Sequence, residues 1–230
     1  VLAASGARLR LGLPVHELRR THEGFELVAG PVPAPTVLAA DGVVVAVPAS
    51  KAAPLLREIA PWAATELAGI DYASMAIATL VYPGGSLPPG SGVLVPEVEG
   101  RTVKALTFSS QKWAHLGGTV VRASIGRYGE EATLQRDDAE LIAAATQDIA
   151  ALTGLTTTPV ASRLTRWGGA LPQYAVGHPD RVRRIRSTVA QVRGLAVCGA
   201  AYDGVGIPAC IRSGQTAAAA LLASLKQSDV

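Results

Sequence analysis

The stretch Gly194–Leu225 constrains the fold of this chain more than any other. An apolar run, Leu195–Cys198, is followed by a glycine-rich turn, Gly199–Gly206, and then by Pro208. Proline suits the first turn of a helix because its missing N–H is not needed there. This order predicts a strand, a turn and a helix. The unpaired N–H groups and the positive dipole end of that helix would face whatever lies beyond the strand, so we expect an electron-rich ligand there.

The same turn fits a loose dinucleotide-binding pattern. Gly204–Ala209 reads G-x-G-x-x-A, but a Rossmann fingerprint needs a further strand after the helix and an acidic residue about 20 positions on. No such strand follows within the 230 residues. A glycine-rich turn that packs a helix therefore explains the pattern as well as a phosphate site does.

Size, hydrophobicity and charge exclude several classes of protein. A chain of 230 residues can bury a core as one large domain or two small ones. No apolar run reaches the ~18 residues that a membrane-spanning helix needs. A formal net charge of +3 is too small to indicate a nucleic-acid partner. The local basic cluster Arg181–Arg186 is better explained as a solvated helix face than as a phosphate site.

The two cysteines, Cys198 and Cys210, are expected to be small core residues rather than a disulfide. A chain of this length with two cysteines has no disulfide framework, and neither cysteine lies in a C-x-x-C or histidine-paired pattern. We therefore expect no metal, and a reducing, cytoplasmic location. Since Val1 is not a start residue, we also expect the sequence to be a piece of a longer protein.

Two patterns of strands follow one another along the chain. Near the amino end, short strands are predicted at Ala7–Leu11, Val15–Arg20 and Gly24–Val28. The unbroken apolar run Val43–Val47 is typical of a strand that is covered on both faces in the middle of an α/β sheet. From Ser74 to Arg127, strand-like stretches separated by glycine and proline clusters predict an antiparallel sheet.

The remaining elements are helices and a return to the first pattern. Asp138–Thr153 is the longest predicted helix, with Asp137 and Glu140 in the positions of a capping box and Gly154 at its end. A further helix, Pro179–Val192, leads back to the strand at Leu195. The sequence therefore predicts an α+β architecture, in which an antiparallel β insertion interrupts an α/β portion.

Five separated motifs carry a family resemblance. They are ADGVVVAVPA (Ala40–Ala49), IDYASMAIATLVY (Ile70–Tyr82), TFSSQKWAHL (Thr107–Leu116), RWGGALPQYAVGH (Arg166–His178) and the run Leu195–Ala218. In these motifs and their order the chain resembles the carboxy-terminal half of the protoporphyrinogen and coproporphyrinogen oxidases. Those enzymes are FAD-dependent flavoproteins of the amine-oxidase superfamily.

The resemblance implies a two-lobed flavoprotein oxidase of which this chain is a fragment. Residues 1–72 would be a portion of the FAD domain, 73–165 the antiparallel portion of the substrate domain, and 166–230 the return to the FAD domain. The family's pyrophosphate-binding turn and its membrane- and substrate-contacting helical segment are not among the 230 residues. The resemblance thus implies the amino-terminal half of the same enzyme as a partner, with peripheral membrane contact through that segment.

The resemblance also assigns cofactor contacts. It implies that the backbone of Val15 meets the adenine of FAD and that Trp167 lies near the isoalloxazine. The backbone N–H groups at the pyrimidine edge of the flavin would come from Gly204, Val205, Gly206 and Ile207. Reduced flavin carries negative charge at that edge, so a helix amino end aimed there would stabilise the reduced state by about 0.3–2 kcal/mol.

Several other polar residues could have either a structural or a functional role. His178 precedes a proline, so it is more simply a residue at a helix entrance than a general base, and no catalytic residue is assigned. Tyr174 and Tyr202 could line a substrate cavity or be hydroxyls satisfied in a core. Three cations of the antiparallel portion, Arg101, Lys104 and Lys112, could meet substrate carboxylates. Lys112 is more simply a lysine at a sheet edge that extends over an aromatic ring beside it.

The resemblance implies an activity as well. It is the oxygen-dependent oxidation of a porphyrinogen, coproporphyrinogen III or protoporphyrinogen IX, to the porphyrin in heme biosynthesis. Hydrides would pass to FAD and then to O₂, releasing hydrogen peroxide. Two alternatives stay open: another amine-oxidase-like flavoprotein, or a fragment without FAD that acts as a binding module.

Overall fold

The computed structural model describes residues 3–226, which divide into two compact units. Unit 1 takes the chain up to Asp71 and again from Pro172, and unit 2 is Tyr72–Leu171. In chain order, the strands are β1 (Val15–Arg20), β2 (Phe25–Ala29), β3 (Thr36–Ala40), β4 (Val43–Val45), β5 (Tyr72–Tyr82), β6 (Gly92–Leu94), β7 (Val103–Phe108), β8 (Thr119–Ile125), β9 (Ala161–Pro172) and β10 (Leu195–Val197). The helices are α1 (Ala49–Leu56), α2 (Pro61–Ala68), α3 (Ser109–Lys112), α4 (Asp138–Thr153), α5 (His178–Val189) and α6 (Ile207–Lys226). This mixture confirms the expected α+β architecture.

Unit 1 contains two small sheets. β1, β2 and β3 form an antiparallel sheet in that order, while β4 pairs in parallel with β10. Val43 lies opposite Leu195 and Val45 opposite Val197, so strands about 150 residues apart in sequence share one register. Helices α5 and α6 both contact β10, and every residue of that strand is buried.

The prediction of a strand at Ala7–Leu11 is wrong. No strand forms there, and Leu9 and Leu11 are 66% and 83% exposed. The alternation of leucine with Arg8 and Arg10 has the period of a strand, but within residues 3–226 no neighbouring strand pairs with this segment. An alternating pattern forms a stable strand only where another backbone satisfies its hydrogen bonds.

The strand at Val43 forms, but its full coverage was predicted wrongly. It ends at Val45, while Val44 is 37% exposed and Val47 39% exposed. In the part of the chain that the structure describes, β4 has β10 as its neighbour on one side and no strand on the other. A continuous apolar run indicates that both faces should be covered, but this segment of chain covers them only in part.

Unit 2 is a five-stranded sheet in the order β6-β7-β8-β5-β9 with α4 packed on one face. The pairs β6–β7, β7–β8 and β8–β5 are antiparallel, as expected. Alternate residues of β5, β7 and β8 form a core with Leu141, Ala145 and Ile149 of α4, all three fully buried. The opposite face carries the remaining, partly exposed residues of those strands.

Helix α4 begins and ends where the sequence predicts. Asp137 precedes it in extended conformation, and Gly154 closes it in the left-handed conformation with φ 75°, donating its N–H to Ala150 at 2.9 Å. The expected capping hydrogen bond from the Asp137 side chain is absent among the described contacts. None of the helices in residues 3–226 combines the length and apolarity needed to cross a bilayer.

Candidate functional site

The strand, turn and helix expected at the carboxyl end form as β10, the loop 199–206 and α6. The N–H of Cys198 donates to the carbonyl of Val45 at 3.2 Å, so the parallel pair continues to the last residue before the loop. Gly199 follows with φ 126°, a conformation that side chains other than hydrogen rarely allow. Its N–H donates to Ser213 Oγ at 3.2 Å. The start of the loop is therefore held against the second turn of α6.

Gly204 and Gly206 meet different requirements at the amino end of α6. Gly204 has φ 139°, and a Cβ added to it would lie 3.0 Å from the Cβ of Ala209, so the chain itself requires glycine there. Gly206 has no such constraint, because an added Cβ would meet only Pro208 Cδ at 3.8 Å. The space beside Gly206 is therefore open to a molecule other than this chain.

The amino end of α6 presents unused hydrogen-bond donors. The first helical hydrogen bond runs from the N–H of Cys210 to the carbonyl of Gly206 at 3.0 Å. N–H groups before Cys210 have no acceptor inside the helix, and Pro208 has none to offer. The side chains around these donors are apolar and exposed, with Val205 at 49% and Ile207 at 77%. Donors within an apolar rim suit a flat ligand with an electron-rich edge.

Two stacked rings hold the loop from the side of α5. The Tyr174 hydroxyl donates to the carbonyl of Ala200, and His178 Nε2 lies 3.0 Å from the carbonyl of Ala201. The two rings stack with centroids 4.0 Å apart. Because a carbonyl only accepts, Nε2 carries the proton. His178 is buried and is the first residue of α5. The structure therefore supports the interpretation of His178 as a residue at the entrance of a helix.

An ion pair holds the loop two residues further on. Arg186 binds Asp203 through both ends of its guanidinium, with one bond of 2.9 Å. The same guanidinium lies 5.7 Å from the centroid of the Tyr202 ring. Tyr202 is 3% exposed and so belongs to the core rather than to a cavity wall. The rest of the Arg181–Arg186 cluster is also engaged, since Arg181 and Arg184 pair with Glu66, and Arg183 with Asp180.

The two cysteines flank this loop as free thiols. Cys198 is buried, and burial raises the pKa of its thiol, with the neighbouring Cys210 as the second cause. Cys210 is partly buried, with Sγ 3.6 Å from the carbonyl of Gly204. A protonated thiol in the core behaves as a small apolar group, which is the role expected for Cys198. Among residues 3–226, no three His, Cys, Asp or Glu side chains are grouped as metal ligands.

The remaining two expected cofactor residues lie elsewhere. Val15 begins β1, an edge strand of the antiparallel sheet of unit 1, and is 37% exposed. Its sheet is distinct from the β4–β10 pair. Trp167 belongs to unit 2, in β9, and is 53% exposed. Its neighbour Arg166 binds the Asp138 carboxylate at 2.6 Å, at the start of α4. Successive strand residues point to opposite faces, which places Trp167 away from that contact.

The cations named for unit 2 are mostly engaged within the chain. Arg101 lies 3.4 Å from the buried carboxylate of Asp148, and Lys112 lies over the ring of Trp113. Burial, followed by the charge of Arg127, lowers the pKa of Lys104.

The sequence analysis missed Arg122, which is exposed in the middle of β8. The signal was present, since Val120, Arg122 and Ser124 occupy the alternate, solvent-facing positions of one strand.

Comparison with known proteins gives one consistent family. Residues 2–222 match the family described as flavin containing amine oxidoreductase. The coproporphyrinogen III oxidase of Mycobacterium leprae (strain TN) is 40% identical over 188 residues, which are 81% of this chain and 41% of that protein. The protoporphyrinogen oxidase of Macaca fascicularis is 32% identical over 195 residues, 80% of this chain and 41% of that protein.

A solved structure agrees with these relatives. A protein from Exiguobacterium sp. 255-15, assigned as a protoporphyrinogen oxidase, superposes with a TM-score of 0.78 at 31% identity. The match covers 93% of this chain and 47% of that one. The chain therefore spans less than half the length of that structure and about two fifths of the length of the curated relatives it matches.

Proposed function

The chain belongs to the family of flavin-containing amine oxidoreductases, and on that premise we propose that it forms the carboxy-terminal part of an FAD-dependent porphyrinogen oxidase. The substrate would be coproporphyrinogen III or protoporphyrinogen IX, and the product the porphyrin in heme biosynthesis. The amino-terminal half of the same enzyme would be its partner. That half would supply the pyrophosphate-binding turn and any peripheral contact of this cytoplasmic enzyme with a membrane.

The proposal rests on the features found at the amino end of α6. Unused N–H groups, the positive end of a 20-residue helix and the open space beside Gly206 occur together there. The pyrimidine edge of a flavin offers acceptor atoms and becomes negative on reduction, so these donors fit it chemically. The exposed apolar side chains of Val205 and Ile207 fit the flat, apolar ring that would lie over them.

We assign the cofactor contacts accordingly. Gly204, Val205, Gly206 and Ile207 would direct backbone N–H groups at the pyrimidine edge of FAD. The backbone of Val15, which begins the edge strand β1, would meet the adenine, and Trp167 would meet the isoalloxazine. When bound, FAD would supply the redox chemistry, in which hydride from the porphyrinogen reduces the flavin and O₂ reoxidises it and is itself reduced to hydrogen peroxide.

The part of this chain in the chemistry is orientation and electrostatics. The Arg186–Asp203 pair and the Tyr174–His178 stack hold the loop before α6, so that its donors keep one position. Fixed donors at the site of developing negative charge need no reorganisation during the reaction. Glycine at 206 lets the backbone approach the ring without a Cβ. These features favour acceptance of a hydride.

The test uses the full-length enzyme that contains this sequence. Supplied with coproporphyrinogen III in air, it should produce porphyrin fluorescence together with peroxide, and removal of O₂ should suppress turnover unless another electron acceptor is added. Fluorescence no faster than spontaneous oxidation, alongside rapid peroxide formation from a simple amine, would reject the porphyrinogen assignment in favour of an amine oxidase.

A further inference from the structure

Arg122 lies in the centre of the open face of the unit 2 sheet. Its strand, β8, has neighbours on both sides, β7 and β5. The alternate residues Val121 and Ala123 are fully buried in the core that α4 covers. Arg122, between them in sequence, therefore points away from α4, and it is exposed. A charged side chain thus stands on the face that unit 2 does not bury.

The guanidinium of Arg122 has no hydrogen bond or ion pair with any residue from 3 to 226. Most other arginines of unit 2 have such partners: Arg101 pairs with Asp148, Arg127 with Glu130, Arg136 with Glu140 and Arg166 with Asp138. Arg163 also lacks a described partner, but it lies on β9, at the edge of the sheet. Arg122 is therefore a central cation whose five N–H donors are all available.

The neighbours of Arg122 across the sheet form a polar row. Thr79 of β5 lies directly opposite on one side and Thr107 of β7 on the other, and Gly92 of β6 lies opposite Thr107. Directly opposed residues have Cβ atoms about 4.5–5.5 Å apart, so both hydroxyls lie within reach of a group that binds the guanidinium. Gly92 adds no side chain, because a Cβ there would lie 2.0 Å from the carbonyl oxygen of Leu106. The row therefore remains open at that end.

Three apolar residues, Ile77, Val81 and Val120, and the small polar Ser124 border this row on the same face. Ile77 lies opposite Ser124, and Val81 lies opposite Val120. Each of the four is partly exposed. The face thus combines a guanidinium and hydroxyls with apolar side chains, Ile77 on one side of the row and Val81 with Val120 on the other. A planar carboxylate matches a free guanidinium through two parallel N–H···O bonds, and an apolar skeleton would cover the rest of the face.

We propose that Arg122 binds a carboxylate of the substrate on the open face of the unit 2 sheet, with Thr79 and Thr107 beside it. This inference rests on the proposed function, because porphyrinogens are apolar macrocycles that carry propionate groups. It assigns to Arg122 the role that the sequence suggested for Arg101 and Lys112, which the chain itself engages.

The experiment compares Arg122→Gln and Arg122→Lys with a matched control, Arg163→Gln, in the full-length enzyme. Two quantities are measured: KM and kcat for coproporphyrinogen III, and the equilibrium binding of coproporphyrin III against its tetramethyl ester in one detergent. Flavin content and thermal unfolding verify the fold. The ester has the same macrocycle but no carboxylate, so the preference for the acid isolates the proposed contact.

Loss of one charge-assisted contact should raise KM about ten- to hundredfold in Arg122→Gln, with kcat nearly unchanged. The preference for the acid over the ester should fall by the same factor. Arg122→Lys keeps the charge but not the paired geometry, so its KM should lie between those of the wild type and Arg122→Gln. Arg163→Gln should leave both quantities within about twofold of the wild type, since a lone exposed charge contributes little.

The outcomes separate this inference from the proposed function. Normal KM and acid preference in Arg122→Gln, or an equal effect of Arg163→Gln, would overturn the role of Arg122 while porphyrinogen turnover by the wild type stands. A wild type that neither oxidises the porphyrinogen nor binds the porphyrin would reject the proposed function itself. If Arg122→Gln loses its fold, Arg122→Lys decides, and an unchanged KM and acid preference there would overturn the inference.

Discussion

The carboxylate of Asp203 accepts hydrogen bonds from both terminal nitrogens of Arg186, one of them at 2.9 Å. Asp203 immediately precedes Gly204, and Arg186 lies in the last turn of α5. The pair therefore ties the proposed flavin-facing turn to a helix that packs on β10. Since the side chains are 38% and 44% exposed, solvent screens them, and the pair contributes no more than about 1 kcal/mol to stability.

Arg186→Gln should therefore affect the cofactor more than the fold. We expect the full-length enzyme to unfold at nearly the wild-type temperature, with the dissociation constant for flavin raised about fivefold, the equivalent of 1 kcal/mol. Fluorescence titration of the apoenzyme with FAD measures this. Arg183→Gln is the control, because it removes a similar exposed pair on the same helix, with Asp180. Equal flavin affinities in the two variants would contradict the role of Arg186.

His178→Phe should destabilise the protein. The phenyl ring can keep the stack on Tyr174 but cannot donate to the carbonyl of Ala201, which would be left in the core without that donor. An unsatisfied buried acceptor costs about 1–3 kcal/mol. Urea unfolding measures the loss. The matched variant Tyr174→Phe removes a bond from an exposed hydroxyl and should cost less. A wild-type urea midpoint for His178→Phe would contradict this expected net loss.

Local signals predicted the elements that depend on neighbouring residues. Gly154 ends α4 because glycine adopts the left-handed conformation without strain, and Pro208 occupies the first turn of α6, where no N–H is needed. The strand-like stretches between Ser74 and Arg127 likewise predicted the antiparallel sheet to which β5, β7 and β8 belong. Each of these features is determined by residues only a few positions away in the sequence.

Features that depend on partners distant in sequence could not be predicted from local signals. The strand Thr36–Ala40 was missed, since it directly follows Pro31, Pro33 and Pro35, and its formation depends on pairing with β2. Ala7–Leu11 was predicted as a strand, but no strand within residues 3–226 pairs with it. The alternation of β8 placed Arg122 on the solvent-facing side, but its lack of a partner among residues 3–226 appears only once the contacts of the other side chains are known.

Acid should weaken the contact between α2 and α5. The Glu66 carboxylate accepts a hydrogen bond from Arg184 and also pairs with Arg181, and the first of these is the main cause that lowers its pKa from 4.5. A carboxyl group whose pKa is lower in the folded state binds fewer protons than in the unfolded chain. Its stabilisation is therefore fully present above pH 4.5 and is lost as the pH falls through the folded pKa.

Glu66→Gln tests this pH dependence. The variant should be less stable than the wild type at pH 6, and the difference should shrink at pH values below the unfolded pKa of 4.5. Urea midpoints between pH 3 and pH 6 measure it. Glu58→Gln is the control, since Glu58 is exposed and has no ion pair among the described residues. A constant difference between Glu66→Gln and the wild type across this range would exclude Glu66 as the titrating group.

Gly206→Val should remove flavin without unfolding the protein. An added Cβ at this position meets only Pro208 Cδ, at the ordinary contact distance of 3.8 Å, so the chain itself tolerates a side chain there. The proposed flavin ring does not, because the backbone at Gly206 must approach it closely. Gly214→Ala, further along α6 and with nothing within 4 Å of its Cβ, is the control and should retain its flavin. The full-length variants are compared by visible absorbance after purification and by thermal unfolding. A Gly206→Val enzyme with wild-type flavin content would show that the ring lies elsewhere, and the assignment of Gly204–Ile207 to the flavin edge would fail.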